Sequence, residues 1–199
     1  MVRRTTRPRC ASCGLIDVRC LCRDLVRCRL PWSLLIVQHG KEGAKPTNTA
    51  RLLSAVVEGT RVIPFARRDR PWDSAQLGAA GGAGFLLHPG AGATVLDRAT
   101  VAGLAARGGT LVVVDGSWRQ AGRMIRRGAG LDELPRFALP AGPPSRWTVR
   151  RAPRDGLVST FEAVVRLAAL LDDPRPHAVL EATFVRLLAA QTAVALPLA

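Results

Sequence analysis

The sequence predicts an α/β fold in which a parallel sheet carries helices on both faces. Apolar runs at residues 34–38, 61–65, 84–87 and 110–114 are short and continuous, as in strands buried on both sides. Helical stretches at 48–58, 96–107 and 117–127 separate or follow them, giving two βαβ rounds. All five cysteines fall between residues 10 and 28, which sets a small N-terminal module, residues 1–30, apart from a catalytic-sized remainder, 31–199.

The first run is followed by a loop and a helix that starts near Thr47, where Thr47 or Asn48 can cap. The second round ends on the β-branched strand 110–114. Residues 78–84 are rich in Gly and Ala and residues 140–153 in Pro and Arg, so both read as loops. Two further helices, 159–171 and 178–195, close the chain. Ser159 and Glu162, three residues apart, read as a capping box.

A length of 199 residues, with 48% hydrophobic and 22% charged side chains, is enough for one sizeable core and excludes a disordered polymer. The net charge of +14, from 29 basic against 15 acidic residues, points to a polyanionic partner, nucleic acid first. The basic residues are almost all Arg, with Lys41 and Lys45 the exceptions; this skew explains the choice of Arg over Lys but not the excess of positive charge. The basic start is followed by cysteines instead of an apolar stretch, which argues against a secretory signal and for a cytoplasmic protein. Glu181, Arg186, Gln191 and Pro197 interrupt the most apolar segment, so no membrane span is expected. No segment signals an obligate protein partner.

Cys10, Cys13, Cys20 and Cys22 have the spacing Cys-x2-Cys-x6-Cys-x-Cys, which places four thiolates close enough for a tetrahedral zinc shell. The bland alternatives are paired disulfides or buried thiols, both disfavoured in a reducing compartment for so short a segment. With four protein ligands the zinc is structural, and Cys28 is a spare packed thiol.

Asp115 follows the strand 110–114 directly and so stands at its carboxyl end, where ligands bind in open parallel sheets. Ser117 is a helix N-cap, and Trp118 in the first turn is either core filler or a surface for a nucleobase or a cationic sulfonium. Arg119, Arg123, Arg126 and Arg127 share one helix face with no acidic residue among them, an arrangement that fits RNA phosphate. Lys45, Asn48 and Arg51 surround a helix start and read as a second anion site. Neither Gly-x-Gly-x-x-Gly nor Gly-Lys-Ser/Thr occurs, which disfavours dinucleotide and nucleoside triphosphate sites of those types.

The four-cysteine cluster, Gln38-His39-x-x-Glu42 with Lys45-Pro46-Thr47-Asn48-Thr49, Leu87-His88-Pro89-Gly90, Asp115-Gly116-Ser117-Trp118-x-Gln120-Ala121 and Ser159-Thr160-x-Glu162-Ala163 occur in the order seen in the DTW-domain family, which the chain resembles from residue 10 to about 165. Ser117 stands where Thr is more usual, and Gly40 where the family tends to have Pro. The resemblance implies a SPOUT-like sheet ending in a C-terminal knot, with S-adenosylmethionine as donor and tRNA uridine as acceptor, the product being 3-(3-amino-3-carboxypropyl)uridine. It further implies Asp115 as the base, and Ser117, Trp118 and Gln120 shaping the pocket. Leu87, His88, Pro89 and Gly90 together with Val158, Ser159 and Thr160 would wrap the cofactor. An RNA methyltransferase of the same knotted class and a non-catalytic zinc-containing nucleic-acid binder are the competing expectations.

Overall fold

The computed structural model describes residues 8–65, 71–78, 84–150 and 156–192. The first seven residues, residues 66–70, the Gly/Ala-rich centre of 78–84, the end of the stretch 140–153 and the last residues of the expected helix 178–195 lie outside them.

Among the described residues six strands form one sheet: β1 (Ser33–His39), β2 (Arg61–Phe65), β3 (Gly84–Leu87), β4 (Thr94–Val95), β5 (Thr110–Asp115) and β6 (Arg136–Ala138). Their order is β2-β1-β5-β3-β6-β4, and every pair is parallel. The helices are α1 (Ala50–Val56), α2 (Ala75–Gly78), α3 (Arg98–Arg107), α4 (Trp118–Arg127), α5 (Thr160–Ala168) and α6 (Arg175–Thr192). All four expected strands are present within one or two residues. β4 and β6 were not expected: each is too short to show a period, and β6 is confined between Pro135 and Pro140.

The continuous apolar runs are explained by burial on both sides. Along β1, Leu34 and Ile36 point into a cluster built with α1, α3, α5 and α6, while Leu35 and Val37 point into a second cluster with Met124 and Ile125 of α4. Crossover handedness accounts for this division. Leaving β1 the chain moves to β2 on one side, and leaving β5 it moves past β3 to β6 on the other. Right-handed crossovers running in opposite directions put α1 and α4 on opposite faces. The crossovers diverge between β1 and β5, where open parallel sheets hold their ligands.

The N-terminal turns pack onto this body. Cys13, Leu15 and Leu21 share the larger apolar cluster with α1 and α6, and Arg19 Nη1 donates to the Ala190 carbonyl at 3.0 Å. Among the described residues no helix is long and apolar enough to cross a membrane.

α5 and α6 meet through Phe161 and Phe184, both fully buried and stacked with centroids 5.6 Å apart. Removing one ring leaves a void that rigid helices fill only in part. Phe184→Ala should therefore cost about 3–5 kcal/mol in urea unfolding; a loss under about 1 kcal/mol would show that this seam collapses without penalty.

Candidate functional site

At the carboxyl ends of β1, β3 and β5 lies a cavity of about 360 Å³, in the size range of small-molecule sites. Its walls are the ends of β3 and β5, the start of α5, and a strap running from Leu139 to Arg150.

Register creates the centre of the site. Gln38 and Asp115 are paired positions on adjacent strands, so their side chains emerge together, and Gln38 Nε2 donates to Asp115 Oδ2 at 3.0 Å. A Cβ at Gly43 would come within 2.7 Å of Gln38 Oε1, so glycine leaves room for that amide. Asn48 Nδ2 donates to the same carboxylate oxygen at 2.5 Å, and Thr160 Oγ1 donates to Oδ1 at 2.8 Å. Asp115 is buried yet lines the cavity. Burial pushes its carboxyl above the ordinary range, against the pull of the bonds from Asn48, Thr160 and Gln38.

Trp118 stands in the first turn of α4, with its ring 5.9 Å from that of His88 across the cavity. Both ring nitrogens of His88 are buried without a partner among the described residues. Burial holds this imidazole below its usual pKa, which favours the neutral ring with its one donor and one acceptor. Ser117 caps α4 in a complete capping box: its Oγ accepts from Gln120 N, and Gln120 Oε1 accepts from Ser117 N at 2.8 Å.

Of the expected cofactor residues, Leu87, His88, Pro89, Ser117, Trp118, Val158, Ser159 and Thr160 line the cavity. Gly90 and Gln120 do not: Gln120 is committed to the cap, and Gly90 sits over Arg136. The reading of Lys45, Asn48 and Arg51 as an anion site is corrected. Lys45 is ion-paired with the fully buried Glu42, and Arg51 donates to the Gly43 carbonyl. Asn48 is buried, its amide nitrogen on Asp115 and its Oδ1 accepting from Arg51 N at 3.0 Å. The helix begins at Ala50 behind Thr49, whose side chain makes no cap bond. Arg119, Arg123, Arg126 and Arg127 are exposed, with Ala121, Met124 and Ile125 buried opposite. Arg119 also borders the cavity.

The Ser159 and Glu162 pair corrects another expectation. Ser159 Oγ accepts from Glu162 N at 3.3 Å, but the Glu162 carboxylate does not complete the box. It accepts instead from Ser145 Oγ at 2.5 Å, Arg146 N at 3.2 Å and Arg166 Nη2 at 2.8 Å, fastening the strap to α5. That strap was read only as a loop, yet it brings Ser145, Trp147 and Arg150 to the cavity wall. The signal available in the sequence was a buried-type indole, Trp147, inside a Pro/Arg-rich stretch. Glu42 is the other residue whose role spacing did not reveal. Burial acts to raise its pKa, but Lys45 and Arg150 outweigh it and hold the carboxylate ionised.

The second site is the cysteine cluster. The Sγ atoms of Cys10, Cys13, Cys20 and Cys22 all lie within 4.8 Å of one another, with Cys10 to Cys22 at 3.7 Å and Cys13 to Cys20 at 3.8 Å. Tetrahedral zinc with Zn–S of about 2.3 Å separates its sulfurs by about 3.8 Å, so the four thiols fit one such ion. Cys28 is buried away from them, and burial raises its thiol to about 11.

Comparison with known proteins identifies the family. A family model for the DTW domain matches residues 7–192. The chain is 27% identical over 193 residues to tRNA-uridine aminocarboxypropyltransferase 2 of Drosophila melanogaster, covering 90% of this chain and 72% of that one. No solved structure matches.

Folding around four thiolates ties metal affinity to stability. The purified chain should hold about one zinc per molecule, and a strong chelator should lower its unfolding temperature. Cys13→Ser together with Cys20→Ser should abolish binding; full zinc occupancy in that variant would remove the cluster as the metal site.

Proposed function

The chain belongs to the DTW-domain family, and from that we propose that it transfers the 3-amino-3-carboxypropyl group of S-adenosylmethionine to N3 of a uridine in tRNA. The observation that carries this reading is the cavity at the divergence of β1 and β5, where a buried carboxylate, an indole and an unpartnered imidazole meet. A C-terminal knot belongs to the same proposal, as does a reducing cytoplasm that keeps the four thiols free for structural zinc.

The donor supplies a carbon already activated by positive sulfur: the N3–C bond forms as the C–S bond breaks, and the electron pair leaves on methylthioadenosine. The protein must therefore align the reactants and accept one proton. Asp115 takes the N3 proton. Of the roughly four acceptor positions on a carboxylate, Gln38, Asn48 and Thr160 fill three, and one remains on Oδ1. Burial raises its proton affinity, as a base acting near neutral pH requires. His88 offers its neutral edge to a nucleoside, and Trp118 a flat face. Residues 158–160 line the cavity beside Asp115. The stripe from Arg119 to Arg127 holds the tRNA backbone.

Incubation with unmodified tRNA and S-adenosylmethionine, followed by nucleoside mass spectrometry, should reveal aminocarboxypropyluridine and released methylthioadenosine. A methyl addition, or an untouched donor, would overturn the proposal. Asp115→Asn should still bind tRNA while losing about 10²–10⁴ in turnover. Arg119→Ala with Arg123→Ala should weaken tRNA binding and reduce its salt slope by about one per arginine; an unchanged slope removes the stripe from the interface.

A further inference from the structure

We infer that Arg150 holds the carboxylate of the donor's methionine tail and is thereby a residue selecting the aminocarboxypropyl-bearing donor. The inference rests on the reading above and concerns a residue that no sequence motif singled out.

Three observations support it. First, the guanidinium is fixed: Nε donates to Thr47 Oγ1 at 2.8 Å and Nη1 to Glu42 Oε2 at 2.9 Å. Second, its remaining nitrogen, Nη2, is buried and has no hydrogen-bond partner among the described residues, although the residue lines the cavity. A buried charged donor left unsatisfied is costly, and its completion by a ligand is correspondingly favourable. Third, the local charge is unbalanced. The single carboxylate of Glu42, fully buried, faces two cations, Lys45 and Arg150, so the cluster carries one surplus positive charge. A monoanion at Nη2 would neutralise it.

The shape of the wall selects among anions. Consecutive residues tie Arg150 and Asp115 together, Thr47 bonding the first and Asn48 the second. The cation thus lies inside the same small cavity as the proposed base. An exposed RNA phosphate has Arg119 and the rest of the stripe on the surface, whereas the donor's carboxylate must be buried with the donor. A charge-assisted bond from a pre-positioned guanidinium is the strong form of such an interaction.

The test compares three ligands by calorimetry without RNA: S-adenosylmethionine, its decarboxylated analogue and methylthioadenosine. The wild-type chain should bind the first about tenfold or more tightly than the second. Arg150→Gln should erase that preference while leaving methylthioadenosine binding in place, which also reports that the cavity is folded. Arg150→Lys, keeping the charge without the fork, should recover only part of it. Retained discrimination in Arg150→Gln would place the carboxylate elsewhere and overturn the inference. So would an equal loss for all three ligands, which marks a structural role. A wild-type chain that binds neither the donor nor methylthioadenosine would instead sink the proposed function itself, and this inference with it. Donor binding with discrimination lost only in the variants separates the two.

Discussion

The Asp115 carboxylate is the junction on which the candidate site is assembled. Its three donors come from three parts of the chain: Gln38 from the end of β1, Asn48 from the turn before α1, and Thr160 from the first turn of α5. A buried carboxylate without these donors would be strongly unfavourable. With them, it draws segments more than a hundred residues apart onto one sheet end. α5 packs against β5 and α1, and Phe161 N donates to Thr49 Oγ1 at 3.3 Å, repeating the same link one residue further on.

Two more buried carboxylates extend this logic outward. Glu42 joins the β1–α1 loop to Arg150, and Glu162 joins α5 to Ser145 and Arg146. The strap between β6 and α5 is thus held at Ser145–Arg146 and again at Arg150 by acids that lie on other elements. A Pro-rich segment has few backbone donors and little regular structure of its own. Here its position comes from side-chain bonds to rigid neighbours, which is how a loop becomes a cavity wall with a defined shape. Among the described residues three of the acids, Glu42, Asp115 and Glu162, are buried, and each is surrounded by donors.

Most of the sheet could be read from the chain because its strands are buried on both faces, and double burial leaves continuous apolar runs such as 34–38 and 110–114. Asp115 was legible for the same reason, as the first polar residue after such a run. The cysteine cluster was legible because its spacing alone confines four thiols. Asn48 was misread because a capping-type residue at a helix start looks alike whether it faces solvent, an anion or a buried carboxylate; only the register that brings β5 beside β1 distinguishes them. Lys45 and Arg51 were misread with it, since their partners, the Glu42 carboxylate and the Gly43 carbonyl, are defined by a turn whose path sequence does not specify. Arg150 escaped notice, and Glu162 was read only as half of a capping box, because their partners Glu42 and Ser145 lie 108 and 17 positions away, respectively. Local periodicity carries no information at such separations.

α4 connects the interior of the site to the surface. Its first turn lies against the cavity, where Ser117 and Gln120 close the capping box and Trp118 faces His88. Ten residues at about 1.5 Å each make it roughly 15 Å long, and Arg119, Arg123, Arg126 and Arg127 mark one exposed face from the cavity mouth to its far end. On the opposite face Met124 and Ile125 are locked into the smaller core against β1 and β5, while Ala121 lines the cavity. The helix therefore cannot rotate its arginines away from the cavity without unpacking that core. A polyanion lying along the stripe would meet the opening at the Arg119 end, so that one packed helix fixes both where a nucleic acid backbone runs and where one of its bases can enter.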